Sequence, residues 1–409
     1  MNNVLDLLES RGFIEQLTDM DMAREQLETP TTCYIGFDST AKSLHVGHLL
    51  PIMSLVHMQM ADHRPIALIG GGTTMVGDPS GKSEARPVLS KDEIEVNAEA
   101  IKLQLGRFLD FEGGRAVMLN NADWLSNLNY IDFLRDIGRH FSVNRMLAAE
   151  SYKQRLLTGL SFIEFNYMLL QAYDFWRLFV DHDCRVQMGG NDQWGNILAG
   201  ADLVRRLEGE VVHGITFPLL ATSSGAKMGK TQKGAVWLDR ELTTPYDYYQ
   251  YWINQDDRDV RRFLALFTLL PMEDVERLGS LEGADIREAK EILAFEATKL
   301  CHGRREAGKA REASSGLFGD TRVESSDSVP TFRLPAEEIG SGIPAYMLFE
   351  KAGLRSTRSE ARRLISQGGA YVNGEKITAY DQVIGLSRIA DGHMLLRAGK
   401  KQHVKIILE

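Results

Sequence analysis

Cysteine is scarce: three residues in 409, Cys33, Cys184 and Cys301, with no Cys-x-x-Cys pair among them. That scatter excludes a disulfide framework, offers no structural zinc set, and suits a reducing compartment. Long apolar runs are also missing. None approaches the ~20 residues a membrane span requires. The first eighteen residues are amphipathic and carry acidic side chains, with neither a basic leader nor a cleavage site, so no secretory or transit signal is visible and a cytoplasmic protein is expected. Internal repeats are absent too. What remains is a chain 44% hydrophobic, able to bury a large core in two or three domains.

Excess positive charge is lacking overall, the formal net charge being -9. The sum hides an asymmetry. Residues 344–409 hold 11 Lys/Arg against 6 Asp/Glu, or +5, which leaves 36 against 50, or -14, for the rest. An acidic body with a basic tail points to one polyanion-binding module, with a chance fluctuation as the bland alternative.

Thr32 to Phe37 reads as a buried strand, Leu49 to Met60 as a helix that tolerates Pro51 in its opening turns, and Pro65 to Ile69 as a second strand. Strand, helix and strand over about forty residues make a βαβ unit, hence a parallel sheet covered by helices. Ala116 to Leu119, Cys184 to Met188 and Ile215 to Leu220 extend the strand series. Pro245 to Gly303 is helical in pattern, and Arg304 to Gly342, rich in Gly, Ser, Ala and charge, reads as a linker. In the last 66 residues, Thr357 with Glu360 predicts a capping box, Gly368-Gly369 closes that helix, and Asn373-Gly374 predicts a hairpin turn.

Two short motifs carry the strongest chemistry. His45-Val46-Gly47-His48 lies where the first strand turns into its helix, the place where open α/β sheets bind ligands. Gly36 and Gly47 suit close approach of a nucleotide to the backbone, and Thr40, His45 and His48 supply donors to phosphate and ribose oxygens. Satisfied surface histidines, or a metal pair with His57, are the competing readings. Lys227, Lys230 and Thr231 form the second motif, in a Gly/Ser loop able to bring cations to charge that develops as a phosphorus–oxygen bond breaks. An ordinary solvated loop is its competitor. Together the motifs read as two halves of an ATP site. Gly77 to Ser83 is one residue short of a P-loop and is rejected as one, although Lys82 and Arg86 remain candidate pyrophosphate ligands. Tyr167, Gln171 and Asp174 fall on one helix face, and Gln187 to Gln193 follows a strand. Such a set suits a zwitterionic amino acid, or equally the polar face of an amphipathic helix.

With these residues in place, the chain resembles the bacterial tyrosyl-tRNA synthetase family of class I aminoacyl-tRNA synthetases, in order and over essentially its full length. YIGFDSTAKSLHVGH, GGGTTMVGDPSGKSEAR, YMLLQAYD, QMGGNDQWGNI and AKMGKT carry the likeness. Val46 and Met228 depart from the residues most frequent in the family, at positions expected not to touch the chemistry. The resemblance implies a fold: a Rossmann-like α/β parallel-sheet catalytic domain, a helical domain, and a small C-terminal α+β RNA-binding domain. The expected boundaries are 1–220 for the catalytic domain, 221–305 for the signature loop and helical domain, 306–343 for a linker, and 344–409 for the RNA-binding domain.

It also implies activation of tyrosine by ATP with Mg²⁺, then transfer to tRNA, with no structural metal and a homodimer as the working assembly. By position in the motifs, Tyr34 and Asp174 would hold the tyrosine hydroxyl, and Asp78, Tyr167 and Gln171 its ammonium group. Gly36, Asp38, Gly47, Gln187, Gly190, Asp192 and Gln193 would seat the nucleotide or adenylate. Thr40, His45, His48, Lys82, Arg86, Lys227, Lys230 and Thr231 would stabilise the transition state and pyrophosphate. The terminal unit is similar to an RNA-binding domain shared with a ribosomal small-subunit protein, and Arg355, Arg358, Arg362 and Arg363 are expected to line a basic helix face there. The rival readings are a tryptophan-specific synthetase, another HxGH-type ligase, and an inactive RNA-binding paralogue.

Overall fold

A computed structural model describes residues 3–80, 89–223, 225, 228–231, 234–316, 330–340, 342–390, 392–399 and 402–409. The chain forms two compact units, one of residues 1–243 with 255–301, the other of residues 244–254 with 302–409.

In the first unit a six-stranded sheet is built from β1 (Gln16–Leu17), β2 (Thr32–Asp38), β3 (Arg64–Gly70), β4 (Val117–Asn120), β5 (Cys184–Gly190) and β6 (His213–Phe217). Its order is β1-β6-β5-β2-β3-β4, parallel throughout except for β1, which pairs antiparallel with β6 at the edge. β3 is buried from Pro65 to Gly70, as a central parallel strand covered on both faces requires. The helix Leu49–Met60 follows β2, buries ten of its twelve residues, and crosses to β3. From β2 the chain runs outward through β3 and β4, then returns to place β5 on the other side of β2. That reversal leaves a crevice at the carboxyl ends of β2 and β5, where such sheets bind ligands. The edge strand β1 was not visible in the sequence: two residues are too short to show a period.

Beyond β6, the stretch expected to be helical from pattern is divided into helices Pro245–Ile253, Asp257–Phe267, Met272–Gly279 and Ile286–His302. Thr244 caps the first of them, with Pro245 in its opening turn. The expected linker is structured at both ends. Arg304–Gly316 is a helix, and Thr331–Leu334 is a strand parallel to Gln402–Leu408. The helix follows from its composition: alanine, arginine, glutamate and lysine are strong helix formers, and they outweigh the glycines and serines that suggested a linker.

The second unit carries a five-stranded sheet over a core that includes Leu348, Phe349, Leu364, Leu396 and Ile406. Thr357 caps the helix Arg358–Ser366 by accepting from the Glu360 backbone N–H at 3.2 Å, but the Glu360 carboxylate accepts from Ser356 N–H rather than closing the box on Thr357. Asn373 and Gly374 take φ of 49° and 82°, the paired positive values of a two-residue hairpin turn, between Val372 and Glu375. The basic face differs from expectation. Because Thr357 is the cap, Arg355 precedes the helix and donates to Gln402 Oε1 at 2.6 Å. Arg358 pairs with Glu350 at 3.2 Å, and the Arg362 guanidinium lies 4.3 Å from the Tyr346 ring centre. Arg363 is exposed. Among the described residues no helix is long and apolar enough to cross a membrane.

Candidate active site

A cavity of about 650 Å³ opens at the carboxyl ends of β2, β3, β5 and β6. Its deep end is set by sheet register. Tyr34 on β2 stands opposite Gln187 on β5, and Asp174 projects from the helix Tyr167–His182. Tyr34 is 1% exposed, and among the described residues its hydroxyl has no hydrogen-bond partner. Burial, with the Asp174 carboxylate nearby, pushes its ionisation well above the usual phenol range. Asp174 is 2% exposed. Its Oδ2 accepts from Asn121 Nδ2 at 2.8 Å and its Oδ1 from Trp124 Nε1 at 2.7 Å. Burial raises its pKa to about 7 even though those two bonds pull it down. Gln187 Oε1 is likewise buried without a partner among the described residues. Orphaned polar atoms at the floor of a cavity cost free energy that a ligand hydroxyl or amine can recover.

A network of carboxylates and amides lines the middle of the cavity. Asp38 accepts from Thr73 Oγ1 at 3.0 Å and from the Tyr167 hydroxyl at 3.2 Å. Asp78 accepts from Ser80 N–H at 2.9 Å and from Gln193 Nε2 at 2.8 Å. Asn196 Nδ2 donates to Gln171 Oε1 at 3.0 Å and to Gln193 Oε1 at 3.1 Å, tying the two amides together. Gly36 leaves open space where a side chain would stand, and Thr40, Gly47, His48, Gly190 and Asp192 complete the walls.

The two signature motifs meet at the mouth. His45 caps the turn Val46–His48, its Nδ1 accepting from Gly47 N–H at 3.0 Å, while His45 N–H donates to His48 Nδ1 at 3.1 Å. Both rings thus commit Nδ1 to the turn, which fixes their orientation. Val46 N–H donates to the Val236 carbonyl at 2.9 Å, and Val236 N–H to the Gly229 carbonyl at 2.9 Å. Gly229 has φ +85°, and a side-chain carbon there would lie 3.0 Å from Gly47 N. Motifs 180 residues apart in sequence are therefore in backbone contact. Lys82, Arg86 and Lys227 lie outside the described residues. Lys230 and Thr231 are described for backbone only, pairing with Gly234–Ala235. His57 belongs to none of this: it is buried edge-on against Phe13, and burial lowers its pKa to about 3. Among the described residues no group of three or more His, Cys, Asp or Glu is placed to hold a metal ion.

Sequence reasoning missed Asn121, Trp124, Thr73 and Asn196. Asn121 had a usable signal, an amide directly after β4 at the carboxyl edge of the sheet. Trp124 had none, because its bond to Asp174 spans 50 residues.

Comparison with known proteins agrees with this geometry. The family described as tRNA synthetases class I (W and Y) matches residues 25–319, and the tyrosine–tRNA ligase SYY-like C-terminal domain matches residues 323–406. The chain is 56% identical to a tyrosine–tRNA ligase of Syntrophus aciditrophicus and 52% identical to one of Clostridium botulinum, covering 100% of both chains in each case. Among solved structures, a C-terminally truncated mitochondrial tyrosyl-tRNA synthetase of Aspergillus nidulans superposes with a TM-score of 0.70 at 30% identity, over 78% of this chain and 95% of that one. The chain belongs to the class I tRNA synthetase family of the tryptophan and tyrosine type, on its tyrosine–tRNA ligase branch.

Proposed function

We infer that this chain is a tyrosine–tRNA ligase. A tyrosine carboxylate oxygen attacks the α-phosphorus of Mg²⁺-bound ATP, the bond to pyrophosphate breaks, and tyrosyl-adenylate forms. A hydroxyl of the tRNA terminal ribose then attacks the carbonyl and releases AMP. The observation that carries the amino-acid choice is the buried Tyr34 hydroxyl, unpartnered among the described residues, beside Asp174 at the floor of the cavity. A substrate phenol between them accepts from Tyr34 and donates to Asp174; phenylalanine gives the Tyr34 hydroxyl no acceptor and Asp174 no further donor. Discrimination of ~10⁵-fold by this means is the known behaviour of tyrosine-specific synthetases, not a figure derived from this chain. An indole carries a single N–H donor and no acceptor for Tyr34, which disfavours tryptophan.

Asp78, Tyr167 and Gln171 are assigned to the ammonium group, on the strength of their polar atoms lining the cavity above that floor. Gly36, Asp38, Gly47, Gln187, Gly190, Asp192 and Gln193 are assigned to the nucleotide and adenylate. Thr40, His45, His48, Lys82, Arg86, Lys227, Lys230 and Thr231 are assigned to the α-phosphate and leaving pyrophosphate. No side chain acts as nucleophile. Catalysis is positioning plus stabilisation of charge, each well-placed donor contributing about 3 kcal/mol.

The limits 1–220 and 221–305 are kept as functional limits, the terminal domain is extended to take in the strand Thr331–Leu334 of its sheet, and Arg355, Arg358, Arg362 and Arg363 are assigned to tRNA phosphates. Exposed Leu157 and Phe162, with Leu156 and Ile163, support a homodimer face on the helical insertion of the catalytic unit. The reading places the chain in the cytoplasm. Its test is ATP-dependent charging of tRNA with labelled tyrosine: acid-stable counts on tRNA are expected with tyrosine, and their absence would remove the reading.

A further inference from the structure

We propose that Asp259 is a positioning residue for adenylate formation, fixing the stem through which the chain enters the Lys227–Thr231 motif. The proposal rests on the ligase reading above. Asp259 sits in the first turn of the helix Asp257–Phe267 and is 3% exposed. Its Oδ2 accepts from both Ser223 N–H at 2.9 Å and Ser223 Oγ at 2.6 Å. Its Oδ1 accepts from the Arg262 guanidinium at 2.9 Å, and the same guanidinium donates to the Ala221 carbonyl at 2.6 Å. Three donors satisfy this buried carboxylate, and the helix N-terminus favours its charge.

The arrangement does more than neutralise a buried acid. Two bonds to one serine fix its orientation as well as its place, and the Arg262 bond holds the residue two positions earlier. Ser223 lies four residues before Lys227. At the far side of the loop, Met228 N–H donates to the Leu220 carbonyl at 3.2 Å, and Gly229 rests against Gly47. The chain is therefore held at Ala221 and Ser223 by the helical segment and at Gly229 by the first motif. Leu220, Ala221 and Met228 also line the cavity, so displacing the stem displaces its wall. Tyr34 and Asp174 lie at the opposite, deep end. Losing the clamp should damage the pyrophosphate step and spare tyrosine binding.

The test uses the full-length protein and the variants Asp259→Asn, Ser223→Ala and Ser223→Thr, with the Asp259→Asn/Ser223→Ala double variant. Tyrosine-dependent pyrophosphate–ATP exchange gives kcat, and equilibrium dialysis gives the tyrosine Kd. The expected result is a fall in exchange kcat of about tenfold or more in Asp259→Asn and Ser223→Ala, the order set by losing hydrogen bonds to a charged group, with tyrosine Kd changed less than about twofold. The double variant should be no worse than the poorer single one, because both remove one shared interaction. Ser223→Thr, which keeps the hydroxyl, should recover most of the loss. Ser223→Ala deletes one hydroxyl and guards against misfolding of Asp259→Asn. Unchanged kcat in both single variants, tyrosine Kd weakened by the same factor as kcat, or losses that multiply would each overturn the proposal. Absence of exchange in the unmodified protein would instead remove the ligase reading, and the proposal with it.

Discussion

On the proposed reading, Asp174 concentrates the chemistry of selection in one carboxylate. Burial raises its pKa to about 7, so the folded protein holds a proton there that the unfolded chain releases near its ordinary value of 3.8. More protons bound when folded means that this group's contribution to stability declines as pH rises from about 4 to about 7. A bound phenol that donates to the carboxylate favours its ionised form. Tyrosine affinity is therefore expected to rise with pH and level off above about 7, a trend phenylalanine should not share; calorimetric titration across that range checks it. Asn121 and Trp124 hold the two Asp174 oxygens, and removing either (Asn121→Ala or Trp124→Phe) should raise the tyrosine KM about tenfold, since a hydrogen bond to a charged group contributes ~1.5–3 kcal/mol. Steady-state exchange kinetics measure this. The contrast between these residues shows what a sequence reveals about a site. The roles of Tyr34 and Asp174 were reached through the resemblance, by the place each holds in a family motif, and not from local spacing. Trp124 meets Asp174 only through the packing of a distant segment, and no spacing encodes it.

Among elements, the signature loop depends on a glycine where backbone rather than side chain meets its neighbour. Gly229 combines positive φ with a 3.0 Å approach to Gly47 N, so Gly229→Ala is strained twice over. The left-handed conformation alone costs a non-glycine residue ~1–2 kcal/mol. Exchange kcat should fall about tenfold or more while tyrosine Kd stays put, read by the same exchange and binding assays. Parallel strands and the helix Leu49–Met60 were legible because continuous burial leaves a continuous apolar run. The helix Arg304–Gly316 was not: its small and charged residues read equally as a polar linker, and helix propensity decided against the glycines. Arg355 was misplaced for a related reason. With the cap at Thr357 the helix starts at Arg358, three residues later than the arginine spacing required.

On the proposed reading of the whole molecule, an acidic body and a basic tail separate two tasks: amino-acid activation within the first unit and RNA contact through the second. Replacing Arg355, Arg358, Arg362 and Arg363 by alanine should leave tyrosine-dependent exchange unchanged. It should weaken tRNA binding and flatten its dependence on log salt by about 0.7–0.9 for each phosphate no longer neutralised, measured by filter binding over a salt series. The central claim, that the cavity activates tyrosine and selects it by its hydroxyl, is tested most directly without tRNA. Pyrophosphate–ATP exchange with purified protein should be compared for tyrosine, phenylalanine and tryptophan side by side. The account predicts exchange with tyrosine alone. Exchange with tryptophan, or with phenylalanine at a comparable rate, would contradict the assignment of Tyr34 and Asp174, and no exchange with any of the three would contradict the activity itself.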